Sequence, residues 1–171
     1  MKYKTSRLCT TRFASALGGI TLAATDRGLA GLWFDRQRHW PDMAGWEPED
    51  DHPVMQEAAR QLDDYFAGRR RHFDLPLDLS HGTGFQQAVW QALLAIPAGR
   101  TTSYGALSAD VGRPAAVRAV GAAVGRNPIS VIVPCHRVLG ANGSLTGYAG
   151  GLERKSALLA LEGARLAGAS A

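Results

Sequence analysis

Hydrophobic and polar positions split the chain into a strand-rich opening and a helical remainder. Gly19-Ile20-Thr21-Leu22-Ala23-Ala24 and Gly28-Leu29-Ala30-Gly31-Leu32-Trp33-Phe34 are apolar runs on either side of Thr25-Asp26-Arg27. Two such runs around a short polar break predict a β-hairpin. Residues 35–53 are polar, charged and proline-punctuated, which predicts a loop. Met55, Ala59, Leu62 and Phe66 then recur at helical spacing, predicting an amphipathic helix over Val54–Ala67. Leu75-Pro76-Leu77-Asp78-Leu79 alternates and reads as an edge strand, where a proline is tolerated.

Ser80-His81-Gly82 marks a boundary, and helical patterns follow it. Thr83-Gly84-Phe85-Gln86 has the form of a capping box, and Phe85, Val89, Leu93 and Ile96 share one helical face. Pro97-Ala98-Gly99 ends that helix. Ser103–Val111, closed by Gly112, predicts a second helix. Pro114 at a first helical position opens a third, running to about Gly125. Gly151–Glu162 predicts the last helix, and Val131-Ile132-Val133 a buried strand.

Composition narrows the class. The chain has 171 residues, 46% of them hydrophobic, enough for one domain or two small ones. No run approaches the roughly 20 apolar residues of a membrane span, and Met1-Lys2-Tyr3-Lys4-Thr5 leads into no signal-peptide core. Two cysteines are too few for a disulfide framework, so a reducing, cytoplasmic setting is expected. A net charge of +4 is compatible with a polyanionic partner.

Helix, turn and helix over 103–125 have the size of a helix-turn-helix or of an ordinary αα-hairpin. The second helix is nearly bare: Ala115, Ala116, Ala119, Gly121, Ala122 and Ala123 leave mainly Arg118 and Arg126 to reach a ligand. A major-groove reader needs longer polar side chains. A slim helix suits the minor groove or the phosphates, with little sequence preference, or else close packing inside the domain.

In Val133-Pro134-Cys135-His136-Arg137-Val138 a rare thiol stands directly before an imidazole. A lone cysteine is commonly core, and no Cys-x-x-Cys or His-x-x-x-His pair suggests a metal. A nucleophilic Cys135 needs a lowered pKa or a nearby base. In an extended segment, neighbouring side chains point apart, so His136 would reach the sulfur through a water. The imidazole then needs a carboxylate, and Glu162 is a candidate: it opposes the dipole of its own helix, which leaves it either partnered by such a group or an ordinary solvated glutamate.

The run Asn127-Pro128-Ile129-Ser130-Val131-Ile132-Val133-Pro134-Cys135-His136-Arg137-Val138 resembles the active-site signature of the O6-alkylguanine-DNA alkyltransferases, or methylated-DNA–protein-cysteine methyltransferases. The likeness extends through Gly147-Tyr148-Ala149-Gly150-Gly151 and Leu161-Glu162-Gly163. It also runs back through Phe85-Gln86-Gln87-Ala88-Val89-Trp90 and Thr102-Ser103-Tyr104-Gly105, and more loosely to the hairpin and Tyr65-Phe66.

The resemblance implies an α+β, two-domain chain. Residues 1–81 would form a ribonuclease-H-like α/β module, and 82–171 a helix-turn-helix, winged-helix-like domain carrying the cysteine. It implies single-turnover repair of O6-alkylguanine, and of O4-alkylthymine, in double-stranded DNA bound through the minor groove by a monomer. Cys135, His136 and Glu162 would form a water-linked relay, with Asn127 as the hinge between recognition helix and cysteine. Arg118 would fill the space of a flipped nucleotide, and Tyr104 would press on the adjacent phosphate; Ser103, Ala119 and Arg126 complete the DNA-facing set. The carbonyls of Cys135 and Val138 would accept from the guanine amine. Tyr148, Ala149 and Gly150 would wall the pocket, supported by Lys155. Some relatives have serine at the place of Ala149, so any contact to O6 there would come from backbone. No cofactor is implied, and Cys9 alone cannot supply the zinc site of eukaryotic relatives, so no metal is expected. The competing readings are a non-catalytic lesion-binding protein, a cysteine hydrolase and a transcriptional regulator.

Overall fold

The computed structural model describes residue 3 and residues 7–164. Most of the chain start considered above, and the outer ends of the two expected domains, lie outside the described residues. Three antiparallel strands open the fold: β1 (Cys9–Ser15), β2 (Gly18–Thr25) and β3 (Gly28–Phe34). A two-residue β4 (Glu47–Pro48) lies parallel to β1, giving the order β3-β2-β1-β4. The expected hairpin is β2–β3. Ile20, Leu22, Leu29, Leu32 and Phe34 enter the main core, while Ala23, Ala30 and Trp33 form a smaller cluster with Leu8. Helix α1 (Pro53–Phe66) buries Met55, Ala58, Leu62 and Tyr65 in the main core.

Helix α2 (Gly84–Leu94) carries the predicted capping box in full: Gln86 N–H donates to Thr83 Oγ1 at 3.2 Å, and Thr83 N–H to Gln86 Oε1 at 3.0 Å. Trp90 is fully buried, and its indole N–H donates to the Ala123 carbonyl at 2.9 Å, pinning α2 to α4 (Val117–Gly125). Between them run β5 (Thr102–Ser103) and α3 (Tyr104–Asp110). β6 (Val138–Leu139) pairs in parallel with β5, and α5 (Leu152–Leu161) follows. Residues of both halves join one continuous core, from Ile20 and Met55 to Val133 and Leu158. No helix among the described residues is long and apolar enough to cross a membrane.

Several expectations are corrected. β1 escapes the pattern because Cys-Thr-Thr-Arg-Phe-Ala-Ser is mostly polar; its Arg12 faces solvent and pairs with Asp35 at 2.7 Å. The 75–79 strand reduces to a single bridge, Leu77 to Leu29. The third helix begins at Val117, not Pro114; the chain before it is a turn, in which Ala116 N–H bonds Arg113 O at 2.8 Å. The Val131–Val133 strand does not form either. Those residues make tight turns, with Ile132 N–H on Ser130 O and Val133 N–H on Ile129 O, both at 2.9 Å. Their apolar character reflects burial rather than sheet pairing.

Candidate active site

The cysteine segment is hung from the edge of the sheet. Ile129 bridges Leu32 of β3; Leu32 N–H donates to Pro128 O at 2.9 Å and Ser130 N–H to Leu32 O at 3.1 Å. Beyond this anchor Val131 takes φ 72°, a left-handed conformation that a β-branched residue strongly disfavours. The flanking turn bonds and full burial of the side chain hold it there. Cys135–Arg137 then forms a single 3₁₀ turn, so Cys135 and His136 are not on an extended strand as expected.

Asn127, directly after the α4 cap, ties that helix to the thiol. Its Nδ2 donates to Val133 O at 2.7 Å and to Cys135 Sγ at 3.0 Å, and its Oδ1 accepts from Ile129 N–H at 3.0 Å. Cys135 is 4% exposed. Burial pushes its thiol above the ordinary value, against the Asn127 hydrogen bond and the nearby Lys155 charge. Of the two routes to a nucleophile, a depressed thiol pKa and a nearby base, this geometry leaves the second.

The base candidate is fixed from one side. His136 Nε2 pairs with Glu162 Oε1 at 2.8 Å, while its buried Nδ1 has no partner among the described residues. Glu162 also accepts from Arg137 Nε and Nη2 at 2.9 and 2.8 Å, and from the Tyr65 hydroxyl at 2.7 Å. Burial by itself would raise the Glu162 carboxyl; bonds from His136, Arg137 and Tyr65 outweigh it and hold the group below the usual carboxylate range. Burial likewise pushes the His136 imidazole down, against the pull of Glu162. Burial thus works in the same sense on both groups, toward the uncharged thiol and the uncharged imidazole.

A cavity of about 110 Å³ opens onto Cys135. Tyr104, Gly121 and Val124 line one side, Tyr148 and Ala149 another. Arg38 and His39, from the loop after β3, line it from the N-terminal half, and Arg38 N–H donates to Ala149 O at 2.9 Å. Burial, and then the charges of Arg126 and Arg38, depress the His39 imidazole. Val138, Gly150 and Lys155 stand behind the wall and do not line it. Buried Lys155 Nζ donates to the carbonyls of Val138, Thr146 (2.8 Å) and Gly147 (3.2 Å), and burial lowers its pKa to about 8. The Val138 carbonyl, expected to meet a base, already accepts this ammonium. Tyr104 Oη reaches the same loop, at 3.3 Å from Thr146 O. Gly150 is sterically required: a Cβ there would lie 2.7 Å from the Tyr148 ring and 3.3 Å from that of Phe34.

On the outer face, Arg118, Ala119 and Arg126 are exposed on and just after α4. Ser103 caps α3, its hydroxyl oxygen accepting from Ala106 N–H at 3.1 Å. Sequence reasoning missed Arg38, His39, Gly121, Val124 and Tyr65 as site residues; none carries a local signal, because the fold alone brings them to the cysteine. Among the described residues no cluster of His, Cys, Asp and Glu could hold a metal ion.

Comparison with known proteins agrees with this division of labour. Residues 8–79 match the family model of the 6-O-methylguanine DNA methyltransferase ribonuclease-like domain, and residues 84–164 that of its DNA binding domain. A methylated-DNA–protein-cysteine methyltransferase of Mycobacterium bovis is 51% identical over 151 residues, 88% of this chain and 90% of that protein. One from Methanosarcina acetivorans is 48% identical, covering 88% and 96%. The crystal structure of Mycobacterium tuberculosis OGT in complex with DNA superposes with a TM-score of 0.82 at 48% identity, covering 92% of each chain. With both halves matched in order and about half of all aligned positions shared, the chain belongs to the 6-O-methylguanine DNA methyltransferase family.

Proposed function

We propose that this protein repairs alkylated DNA by moving the alkyl group of O6-alkylguanine, and of O4-alkylthymine, irreversibly onto its own Cys135. The observation that carries this reading is a buried thiol lining an open cavity beside a His136–Glu162 pair. The alkyl carbon is sp³, so attack is an in-line displacement: the sulfur–carbon bond forms as the carbon–O6 bond breaks. The thiol proton passes through a water to His136 Nδ1, which no described protein group engages. Guanine departs through O6, and Tyr104 is placed to supply it a hydrogen bond or proton. On balance the alkyl group moves from O6 to sulfur and one proton moves from the thiol to guanine, with His136 giving up to solvent the proton it took and Tyr104 regaining from solvent any proton it gave. The thioether is not cleaved by water, so each molecule reacts once. That outcome separates this reading from a cysteine hydrolase, and the reactive thiol separates it from a binding-only protein.

A base must leave the duplex to reach Cys135, at a cost of a few kcal/mol. Exposed Arg118 on the bare α4 face would take its place, entering from the minor groove with little sequence preference. Tyr104, Ala119, Arg126 and Ser103 would lie along the same face; the M. tuberculosis relative in complex with DNA supports DNA as the partner. The working unit is a cytoplasmic monomer of two domains, 1–81 and 82–171.

Intact-protein mass spectrometry after incubation with an O6-methylguanine duplex tests the reading. The expected product carries one methyl group, on Cys135 and not Cys9. Repair of many lesions per molecule would refute it. Arg118→Ala is expected to slow repair in duplex DNA by about tenfold or more, since it removes the group that offsets extrusion. Reaction with free O6-benzylguanine, which needs no extrusion, should change little. Equal losses on both substrates would make Arg118 a structural residue instead.

A further inference from the structure

Glu162 closes the relay at the end of α5, yet one of its partners comes from the other half of the chain. Tyr65 lies in the last turn of α1, with its ring 5.4 Å from that of Phe66 and 5.2 Å from that of Phe73. Its buried hydroxyl donates to Glu162 Oε1 at 2.7 Å, the same oxygen that meets His136 Nε2 at 2.8 Å. A phenol buried among aromatic rings requires a partner for its O–H, and this carboxylate provides it. We propose that Tyr65 is a positioning residue for alkyl transfer: its hydroxyl fixes the Glu162 carboxylate against His136 and sets the pH at which the imidazole can take the thiol proton. The ribonuclease-like half thus completes the relay as well as supporting the fold. This rests on the reading of Cys135 as alkyl acceptor and His136 as its base.

The groups facing the relay can be named from each element packed on it. Arg137 in the 3₁₀ turn binds both Glu162 oxygens; Lys155 of α5 and Arg137 add positive charge near His136; Cys135 precedes the imidazole. From the N-terminal half come the Tyr65 hydroxyl and Arg71, whose Nη1 donates to the Glu162 backbone carbonyl at 3.2 Å. Tyr65 and Arg71 therefore hold the same residue by different atoms. Of these two, Tyr65 is the one that touches the carboxylate. Burial and the Glu162 charge push the phenol far above its ordinary value, so Tyr65 remains a donor throughout the physiological range.

The sign of the effect follows. Each hydrogen bond donated to a carboxylate withdraws negative charge from it. Without the Tyr65 hydroxyl, Oε1 is more basic and holds the His136 proton more tightly. An imidazole that already carries a proton on Nδ1 cannot take one from the thiol, so protonated His136 is the inactive form at low pH. The acid limb of the rate–pH profile should then move to higher pH in Tyr65→Phe. The substitution keeps the ring and its packing.

The test measures the single-turnover transfer rate constant against pH on an O6-methylguanine duplex, with DNA affinity measured separately. Tyr65→Phe is expected to lower the rate constant near neutrality by about three- to tenfold, a fraction of what a general base supplies. Its acid-limb midpoint should rise and its affinity for DNA stay unchanged. Arg71→Ala should leave the midpoint where it is. Site-specific fluorotyrosine at position 65, a stronger donor, should move the midpoint to lower pH, and it serves as the readout if Tyr65→Phe does not fold. Wild-type midpoints in both position-65 variants, whatever happens to thermal stability, would overturn the proposal and leave Cys135 as acceptor untouched. Absence of alkyl transfer by the wild-type protein would remove the underlying reading, and this inference with it.

Discussion

Cys135→Ser is expected to lose alkyl transfer by on the order of 10⁴-fold or more while still binding lesion-containing DNA. The thiolate is the attacking species, and a thiol, even one raised by burial, ionises far more readily than a serine hydroxyl. Displacement at an sp³ carbon also favours soft sulfur over hard oxygen. Asn127 Nδ2, now 3.0 Å from Sγ, can donate equally to a serine oxygen, so the turn has no reason to rearrange. Oxygen is the smaller atom, and the cavity between Tyr104 and Tyr148 stays open. Arg118 and Arg126 are untouched on the outer face. The variant should fold, retard an O6-methylguanine duplex in a low-salt gel, and leave the methyl group on the DNA. Continued demethylation would mean that Cys135 is not the acceptor. A folded variant unable to bind DNA would give the thiol a structural role.

Elements with a local signature were legible in the sequence. The β2–β3 hairpin, the Thr83–Gln86 capping box and the last helix are set by neighbours in the chain, and the structure places them within a residue or two of expectation. The two-part α+β architecture and the alkyltransferase family were legible through the Pro-Cys-His-Arg-Val context. Where long-range contacts decide the conformation, pattern failed. Val131-Ile132-Val133 has every local mark of a strand, but the backbone hydrogen bonds of Leu32 on β3 go to residues 128 and 130 and force a turn. Glu162 could be nominated from the dipole it opposes. Its partner Tyr65 could not, since 97 residues separate the two and only the packing of α1 joins them. Arg38 and His39 are invisible for the same reason: a polar loop after a strand gives no hint of the cavity wall it forms.

Arg137→Ala is expected to destabilise the fold by about 3–5 kcal/mol at neutral pH, the effect of stripping one partner from a buried ion pair. Glu162 has a side chain 1% exposed, and Arg137 one 7% exposed, so water cannot replace the missing guanidinium. Arg137 also donates to the Ile96 carbonyl, linking the relay to the segment after α2. Arg137→Lys should lose less than Arg137→Ala, but still measurably, because one ammonium cannot reproduce the Nε–Oε2 and Nη2–Oε1 fork. The pH dependence identifies the cause. In the wild-type protein the Glu162 carboxyl is held below its unfolded value, so its contribution is present at neutral pH and is lost as the pH falls through the usual carboxylate range and below. Without Arg137 the buried carboxylate is left under-compensated and its folded-state pKa rises beyond the unfolded value of about 4.3, so at pH 7 its charge opposes folding. The gap between variant and wild type should therefore narrow as the pH drops from 7.5 toward about 4, where protonation relieves the variant of its uncompensated charge. Urea unfolding across that range measures it. A gap that stays constant would assign the loss to packing and the Ile96 contact, and a gap that widens would mean Glu162 is not the charge that Arg137 balances.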